Sequence, residues 1–332
     1  MSVVSRARAV FPARAASFFV IVIIAALGLA SPRALAAEPE TLRVGKAIGG
    51  VFDFVPLDIG IAKGFFAAHG IKVEPSDFGG SAKLQQALGS DSLDIGLGSG
   101  PELVFVAKGN SDLGVAVMMG PPDSQVIAAP ADGPLHGAGD LKGKSVGVST
   151  VASLTDWLVK EFARQQGWGP DGIKTVALGS TAGRVSGMRS GNVDASVMDI
   201  ATASGLGQQK VARIIVNLGK TAPDFITHAA FASKKLIAER PDAIRRFLLG
   251  WFDTIKWMKA NKDETVKLAA AAMHRDPAII AATYDHLMPT FSLTGKFEGK
   301  AIAVLARSFV EMKMLPQAPE MAKLYTEAFL PK

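Results

Sequence analysis

One local pattern occurs twice in this chain, in the stretches 73–97 and 176–198. In each copy an apolar strand leads into a turn of small residues, a helix-like stretch follows, and an Asp precedes a second apolar strand. Short strands and helices alternate over most of the chain, which indicates a parallel or mixed sheet. Two half-similar α/β units therefore predict an α/β fold of two similar lobes with a cleft between them.

Residues 1–36 have the pattern of a secretory signal peptide. Three arginines and no acid precede an uninterrupted apolar run at 18–30, and Ala34 and Ala36 form an A-x-A cleavage pattern. The run is shorter than the roughly 20 residues that a membrane span needs. An uncleaved anchor is the alternative. We expect cleavage near Ala36 and export to the periplasm.

Charge and cysteine content exclude several function classes. The whole chain carries a formal net charge of +6, but the signal segment holds four of its 36 basic residues and no acid. The mature chain is therefore nearly neutral, and nucleic-acid binding has no compositional support. The chain has no cysteine, which excludes disulfides, a thiol nucleophile and a thiolate metal site. We expect no cofactor and no bound metal.

Two proline-bearing, turn-rich segments mark the points where the chain is predicted to pass between lobes. They lie near 120–123 and 221–224. These crossings make lobe 2 continuous and lobe 1 discontinuous, with helices at the C-terminal end of lobe 1. The predicted limits are 37–122 and 223–332 for lobe 1, and 123–222 for lobe 2.

A long amphipathic helix is predicted to begin within 239–242, where Pro241 and Asp242 suit its first turn. Six large apolar side chains share one face at helical spacing, and we expect them to pack in the core. They are Ile244, Phe247, Leu248, Trp251, Ile255 and Met258.

Three predicted helices begin with small polar residues, at Gly79–Ser81, at Ser149–Ser153 and at Ser180–Thr181. The first turn of a helix exposes unpaired N–H groups with partial positive charge, so such termini can bind an anion. Ordinary helix capping is the alternative for each.

Two charged residues of the second copy could distinguish ligands by charge. Arg184 lies early in its helix, where a cation opposes the helix dipole and a bound anion could offset the cost. Asp199 ends the strand that begins at Ala195 and could pair with a cationic group of a ligand. Capping of the next helix by Asp199 is the alternative.

Known catalytic and nucleotide-binding motifs are missing. The chain has no G-x-S-x-G and no H-E-x-x-H, and its five histidines show no ligand spacing. Residues 139–145 end in GKS like a phosphate loop, but a strand follows where that loop requires a helix. An exported enzyme would need an acid–base pair built from Asp53, Glu102 or Asp199, and we expect no histidine to join them.

Four segments in order resemble the substrate-binding proteins of nitrate, sulfonate, taurine and thiamine-precursor uptake systems, the NMT1-like family. They are 56–73 (PLDIGIAKGFFAAHGIKV), 79–98, 140–147 (DLKGKSVG) and 189–195 (RSGNVDA). The resemblance implies a type II periplasmic-binding-protein fold, whose two lobes close by hinge motion around one small molecule. It also implies a monomer that delivers its solute to an ABC permease and ATPase complex.

The resemblance further implies which positions line the ligand pocket. They are Phe52, Asp53, Gly80, Ser81, Ser99, Gly100, Ser149, Ser153, Thr181, Arg184 and Asp199. The predicted function is a non-catalytic receptor for a small, anionic organic solute such as a sulfonate, nitrate, a carboxylate or a pyrimidine. An exported enzyme on the same fold and a ligand-presenting sensor subunit are the alternatives. We expect affinity from both lobes and ligand selectivity mainly from the second.

Overall fold

Two mixed sheets of five strands organise the described residues, 38–151 and 153–332, in this computed structural model. The signal peptide predicted for residues 1–36 lies outside the described residues. The strands are β1 (Glu40–Lys46), β2 (Ile71–Asp77), β3 (Ile95–Ser99), β4 (Asp112–Met119), β5 (Gln125–Pro130), β6 (Ser145–Val148), β7 (Lys174–Ala177), β8 (Ala195–Asp199), β9 (Ala212–Asn217) and β10 (His228–Ser233).

Helices connect most of these strands and form the C-terminal part of the chain. They are α1 (Val55–Lys63), α2 (Phe65–Ala68), α3 (Ser81–Gly89), α4 (Leu103–Ala107), α5 (Leu154–Gln165), α6 (Thr181–Arg189), α7 (Ile200–Gln208), α8 (Lys234–Glu239), α9 (Pro241–Ala260), α10 (Lys262–Met273), α11 (Pro277–Leu287) and α12 (Gly299–Glu311). No helix within the described part of the chain is both long enough and apolar enough to cross a membrane.

The two sheets have the same arrangement of strands. The first has the order β2-β1-β3-β10-β4 and the second has the order β7-β6-β8-β5-β9. In each, the fourth strand runs antiparallel to both of its neighbours, while the first three are parallel. The repeated sequence pattern forms β2-α3-β3 in one sheet and β7-α6-β8 in the other. The prediction of two similar α/β lobes is therefore confirmed.

The chain changes sheets twice. It leaves the first sheet after β4 through residues 120–124 and returns from β9 to β10 through residues 218–227. We refer to the first sheet with its helices as lobe 1 and the second as lobe 2, and we retain the predicted limits at 122/123 and 222/223 as a proposal. The C-terminal helices do not contact lobe 1 alone, because α11 also packs against α7 of lobe 2.

Local sequence signals explain where the main helices begin and end. Helix α1 has Pro56 near its first turn and stops at Gly64, whose φ of 77° is left-handed and suits glycine. Helix α9 begins at Pro241, as predicted. Its six-residue apolar stripe is buried, with Trp251 only 1% exposed. Each such side chain contributes about 1.5–3 kcal/mol by leaving water, so this face holds α9 against α1 and α2.

The two Asp residues that close the repeat have structural roles. Asp94 accepts a hydrogen bond from the backbone N–H of Arg43 at 2.8 Å. Asp194 accepts one from the backbone N–H of Ser145 at 2.7 Å. Each carboxylate therefore ties the start of β3 or β8 to the neighbouring parallel strand.

Candidate functional site

A small cavity of about 50 Å³ lies between the two sheets. Three strands point their carboxyl ends at it: β3 ends at Ser99, β6 is followed by Ser149, and β8 ends at Asp199. Ligands of α/β sheets bind at the carboxyl ends of the strands. Both lobes therefore contribute polar groups to one cavity.

The structure brings six of the predicted site residues together around this cavity. They are Asp53, Ser81, Ser99, Ser149, Arg184 and Asp199. The other five do not line it, and they are Phe52, Gly80, Gly100, Ser153 and Thr181.

Three of the side chains outside the cavity have partners elsewhere. The ring of Phe52 packs edge-on against Tyr284 and Phe291, at centroid distances of 6.4 and 6.2 Å. Ser153 is the N-cap of α5, and Thr181 accepts a hydrogen bond within α6 and faces a separate, larger groove. None of the three lines the cavity, but the hydroxyls of Ser153 and Thr181 each lie 3.0 Å from a residue that does, Thr155 and Arg184 respectively.

Gly80 and Gly100 lie where the backbone passes so close to another segment that a side chain would collide with it. A Cβ on Gly100 would collide with the carbonyl oxygen of Ile226, so only glycine fits beneath that segment. A Cβ on Gly80 would lie 2.8 Å from Cγ2 of Thr150 in the other lobe, and Gly80 has a φ of 153°. Gly80 thus belongs to the contact that closes the cleft.

Arg184 is buried in lobe 2, and two of its three side-chain nitrogens donate hydrogen bonds within the described residues. Its Nη1 donates to the carbonyl oxygen of Val197 at 2.9 Å, and its Nη2 donates to Oγ1 of Thr181 at 3.0 Å. Its Nε is buried and has no partner among the described residues. Burial lowers the pKa of Arg184 to about 10, so the guanidinium remains charged at neutral pH.

Asp199 both caps a helix and lines the cavity. Its Oδ1 accepts a hydrogen bond from the backbone N–H of Thr202 at 2.9 Å, which caps α7. Its Oδ2 is buried and unpartnered in the described part of the chain. Burial raises the pKa of Asp199, and the nearby charge of Asp53 raises it further.

His228 lines the cavity beside Asp53, so the expectation that no histidine joins the candidate carboxylates is wrong. Its Nε2 lies 2.9 Å from Oδ1 of Asp53, and its Nδ1 lies 3.1 Å from the carbonyl oxygen of Gly98. Since a carbonyl only accepts, Nδ1 carries a proton. Although burial acts to raise the pKa of Asp53, the hydrogen bond and charge of His228 hold it below its usual value.

The sequence carries no local signal for this pair, because the two residues are 175 positions apart. They meet because β10 lies beside β3 in the sheet, which places the start of β10 next to the cavity. Ser124, in the first crossing segment, also donates to Oδ1 of Asp53 at 2.6 Å.

A third carboxylic acid, Glu102, also lines the cavity. Glu102 accepts hydrogen bonds from the backbone N–H of Ser99 at 2.8 Å and from Nε2 of Gln85 at 2.9 Å. Burial raises the pKa of Glu102. Burial likewise raises the pKa of Asp112 to about 7, and the charge of Glu102 adds to the shift. Gln85 and Asn110 connect the two acids into one buried network.

Among the described residues, no group of three His, Cys, Asp or Glu side chains is placed to hold a metal ion. The polar side chains that line the cavity carry one guanidinium, three carboxyl groups, one imidazole, one carboxamide and four hydroxyls.

Comparisons with known proteins agree with this architecture. Residues 51–265 match the model of the family described as NMT1/THI5 like. A protein of Brucella abortus, named as a candidate binding protein, is 25% identical over 218 residues, which cover 65% of this chain and 66% of that protein. The aligned region is thus just under two thirds of the relative's length.

Two solved structures show the same fold at low identity. The alkanesulfonate-binding protein SsuA of Xanthomonas axonopodis pv. citri, solved with MOPS bound, has a TM-score of 0.75 at 21% identity, covering 88% of this chain and 99% of that one. The enzyme DSZB, solved as a mutant with biphenyl-2-sulfinic acid, has a TM-score of 0.62 at 17% identity, covering 88% and 97%. The fold is that of the periplasmic binding proteins, and because the family model spans well over half of the chain, the protein belongs to the NMT1/THI5-like family.

Proposed function

We propose that this protein is the solute-binding component of an ABC importer. The observation that carries the proposal is a cavity to which both lobes contribute polar side chains, Ser81 and Ser99 from lobe 1 and Arg184 and Asp199 from lobe 2. A solute held in it would bridge the lobes and stabilise the closed form by its contacts to both. The closed protein would then present the solute to a permease and its ATPase.

Arg184 supports a solute with an acidic group. A buried guanidinium with an unpartnered Nε has already lost its water, so a carboxylate, sulfonate or nitrate would gain a charge-assisted hydrogen bond. The alkanesulfonate-binding protein of Xanthomonas has this fold, which is consistent with an organic anion here.

The predicted signal peptide supports a location in the periplasm. We further propose that the protein acts there as a monomer, because one chain supplies both walls of the cavity.

An exported enzyme is the second candidate, because the desulfurization enzyme DSZB shares the fold. The geometry favours the receptor. Both nitrogens of His228 face acceptors within the protein, Asp53 and the Gly98 carbonyl, so the imidazole has no free lone pair for a substrate. A general base must reach the proton that it removes.

The proposal is tested with mature protein purified from the periplasm. A thermal-shift screen of sulfonates, nitrate, carboxylates and pyrimidines identifies a ligand, which raises the melting temperature by mass action. Calorimetry should then give one solute per chain, and mass spectrometry should recover that solute unchanged after prolonged incubation. Continuous conversion of the best ligand would show an enzyme instead.

A further inference from the structure

The C-terminal helices of lobe 1 reach lobe 2 through the turn between α10 and α11. Helix α10 packs against α1 of lobe 1, while α11 packs against α10 and against α7 of lobe 2. Arg275 lies in this turn, and its Nη2 donates a hydrogen bond to Oγ1 of Thr202 in α7 at 3.1 Å. Neither residue lines the cavity, and both line the larger groove that Thr181 faces. One hydrogen bond therefore joins the two lobes outside the cavity.

The backbone of Arg275 is held between two helix ends. Its N–H donates to the carbonyl oxygen of Ala270 at 3.0 Å, after His274 has ended α10 in a left-handed conformation. The next residue, Asp276, caps α11 with its carboxylate. The side chain of Arg275 therefore starts from a fixed point and approaches Thr202 from a defined direction.

Thr202 connects this hydrogen bond to the cavity wall. Thr202 is buried, and its backbone N–H donates to Oδ1 of Asp199 at 2.9 Å. Burial raises the pKa of Asp199, and hydrogen bonds from the backbone N–H and the hydroxyl of Thr202 act against that shift. A hydroxyl that accepts from a guanidinium is polarised and becomes a stronger donor. Arg275 can therefore act on Asp199 through Thr202 without entering the cavity.

Helix α11 runs from the first crossing segment to Arg275. Near its C-terminal end, Nε2 of His286 lies 3.2 Å from the carbonyl oxygen of Asp123, and Arg275 precedes its N-terminal end. A helix of 11 residues is about 16 Å long. Because displacement in a hinge motion grows with distance from the hinge, opening the cleft separates Arg275 from Thr202 more than His286 from Asp123. A hydrogen bond of 3.1 Å is lost when its atoms part by about 1 Å.

The contact between α7 and α11 is not packed like a protein core. Grooves of about 300 and 210 Å³ lie between the two helices. Small residues line them on both sides, Ser204 and Gly205 of α7 and Ala278 and Ala282 of α11. Surfaces between parts of one chain move relative to each other unless they are large and apolar. The helices can therefore part when the cleft opens, and the directional bond from Arg275 favours the joined form.

We propose that Arg275 is a positioning residue of the closed protein. It ties the α10–α11 turn of lobe 1 to α7 of lobe 2 and, through Thr202, holds Asp199 at the cavity wall. The bond forms as the lobes close and breaks as they open. This inference rests on the proposed function only in taking closure of the cleft as the working motion, so it is tested without a solute.

Disulfide trapping measures how often the cleft closes in the solute-free mature protein. The chain has no cysteine, and a Cβ on Gly79 would lie 4.0 Å from Cβ of Ser180, a separation that suits a disulfide. Gly79→Cys combined with Ser180→Cys therefore gives a parent protein that crosslinks when the lobes meet. The rate of crosslinking by glutathione disulfide is measured after any retained solute has been removed by unfolding and refolding.

Arg275→Met in this parent should slow crosslinking at least threefold, because the closed form loses its bond to Thr202. Thr202→Val removes the hydroxyl but keeps the backbone N–H, and it should slow crosslinking to a similar extent. The double variant should be no slower than the slower single variant, because both remove the same bond. Arg275→Lys keeps a donor and should crosslink within twofold of the parent. Arg189→Met is the matched control, because Arg189 lines the same groove, and it should crosslink like the parent.

Carbon-13 NMR of the Asp199 carboxyl, assigned through the signal that Asp199→Asn loses, tests the link to the cavity wall. Arg275→Met and Thr202→Val should both raise the pKa of Asp199 further, because the polarised hydroxyl no longer stabilises its charged form. Arg189→Met should leave that pKa unchanged. An unchanged pKa of Asp199 in Arg275→Met and Thr202→Val would overturn the positioning role.

Equal crosslinking rates for Arg275→Met and Arg189→Met, with urea denaturation showing that both are folded, would overturn the inference. Slower crosslinking by Arg275→Met without any slowing by Thr202→Val would also overturn it, because the charge and not the hydrogen bond would then be responsible. The receptor function stands in either case. Failure of the solute screen would count against the receptor function alone, since no solute enters the trapping experiment.

Discussion

Gly80 lies directly against Thr150 across the cleft, close enough that a Cβ on Gly80 would stand 2.8 Å from Cγ2 of Thr150. Gly80 is the N-cap of α3 in lobe 1, and Thr150 follows β6 in lobe 2. The neighbouring Gly79 lies beside Gly179 in the same way. The helix N-termini that the sequence marks as ligand sites are therefore also the surfaces on which the lobes meet.

Substitution of Gly80 by Ala should hinder closure of the cleft. The added methyl group is closer to Thr150 than real Cβ contacts allow, so the lobes must separate or Thr150 must move. We expect at least tenfold weaker solute binding, about 1.4 kcal/mol. Calorimetry measures the affinity, and small-angle scattering should show a larger radius of gyration with solute present.

Gly109→Ala is the control for backbone strain in that experiment. Gly109 has a φ of 99°, which strains the backbone of any Ala placed there. No atom lies within 4 Å of the position that the Cβ would take, so Gly109→Ala creates no steric clash. It should leave affinity unchanged. Thr150→Ser, which removes Cγ2, should restore part of the affinity to Gly80→Ala. Normal binding by Gly80→Ala would show that closure does not require this contact.

Arg184→Met should weaken binding of an acidic solute by at least tenfold, about 1.4 kcal/mol. The apolar side chain has similar length, and it removes a buried charge whose desolvation opposes folding. We therefore expect the free energy of unfolding to fall by no more than about 1 kcal/mol despite two lost hydrogen bonds. Calorimetry and urea denaturation measure the two effects. The control is Arg189→Met on the exposed face of α6, which should change neither the affinity nor the free energy of unfolding. Unaltered binding by Arg184→Met would show that Arg184 is not part of the site.

His228→Gln should destabilise the protein by about 3 kcal/mol, because it leaves the buried Asp53 carboxylate without its counter-ion. The double variant Asp53→Asn, His228→Gln should be more stable than His228→Gln alone. Urea denaturation of the four proteins gives the coupling energy. Additive effects would show that the two side chains do not form a pair in solution.

The Asp53–His228 pair also has a defined pH signature. The pKa of Asp53 is lower in the folded protein than in the unfolded chain. Its contribution to stability is therefore present above the ordinary Asp pKa of about 4 and is lost as the pH falls through the folded value. Acid unfolding of Asp53→Asn should depend less steeply on pH in that range.

Asp112 should make the free energy of unfolding depend on pH in the opposite direction. Because burial raises its pKa to about 7 in the folded protein, the folded chain holds this proton more tightly than the unfolded chain does. The free energy of unfolding should therefore decrease as the pH rises from about 4 to about 7. Asp112→Asn removes the ionisable group and therefore this decrease in stability with rising pH. We expect the variant to be more stable than the wild type by about 1–3 kcal/mol at pH 8 and to have similar stability at pH 4. A wild-type advantage at pH 8 would contradict the prediction.

Local sequence patterns predicted much of the fold, because they depend on interactions between residues that are close in the chain. The alternation of strands and helices and the apolar stripe of α9 both involve residues within a few turns of one another. The repeated β-α-β pattern predicted the two lobes for the same reason. Family membership followed from motifs whose order and spacing are visible in one dimension.

The sequence by itself determined the two α/β units, the family, and the small polar residues at the ends of particular strands. Only the tertiary structure decided which of these side chains share a cavity, that Gly80 serves the contact between the lobes, and that His228 neutralises Asp53. These depend on strand order and on contacts between segments far apart in the chain, such as Asp53 and His228, which are 175 positions apart. The charge balance of the cavity is likewise a property of distances and burial, which no local pattern encodes.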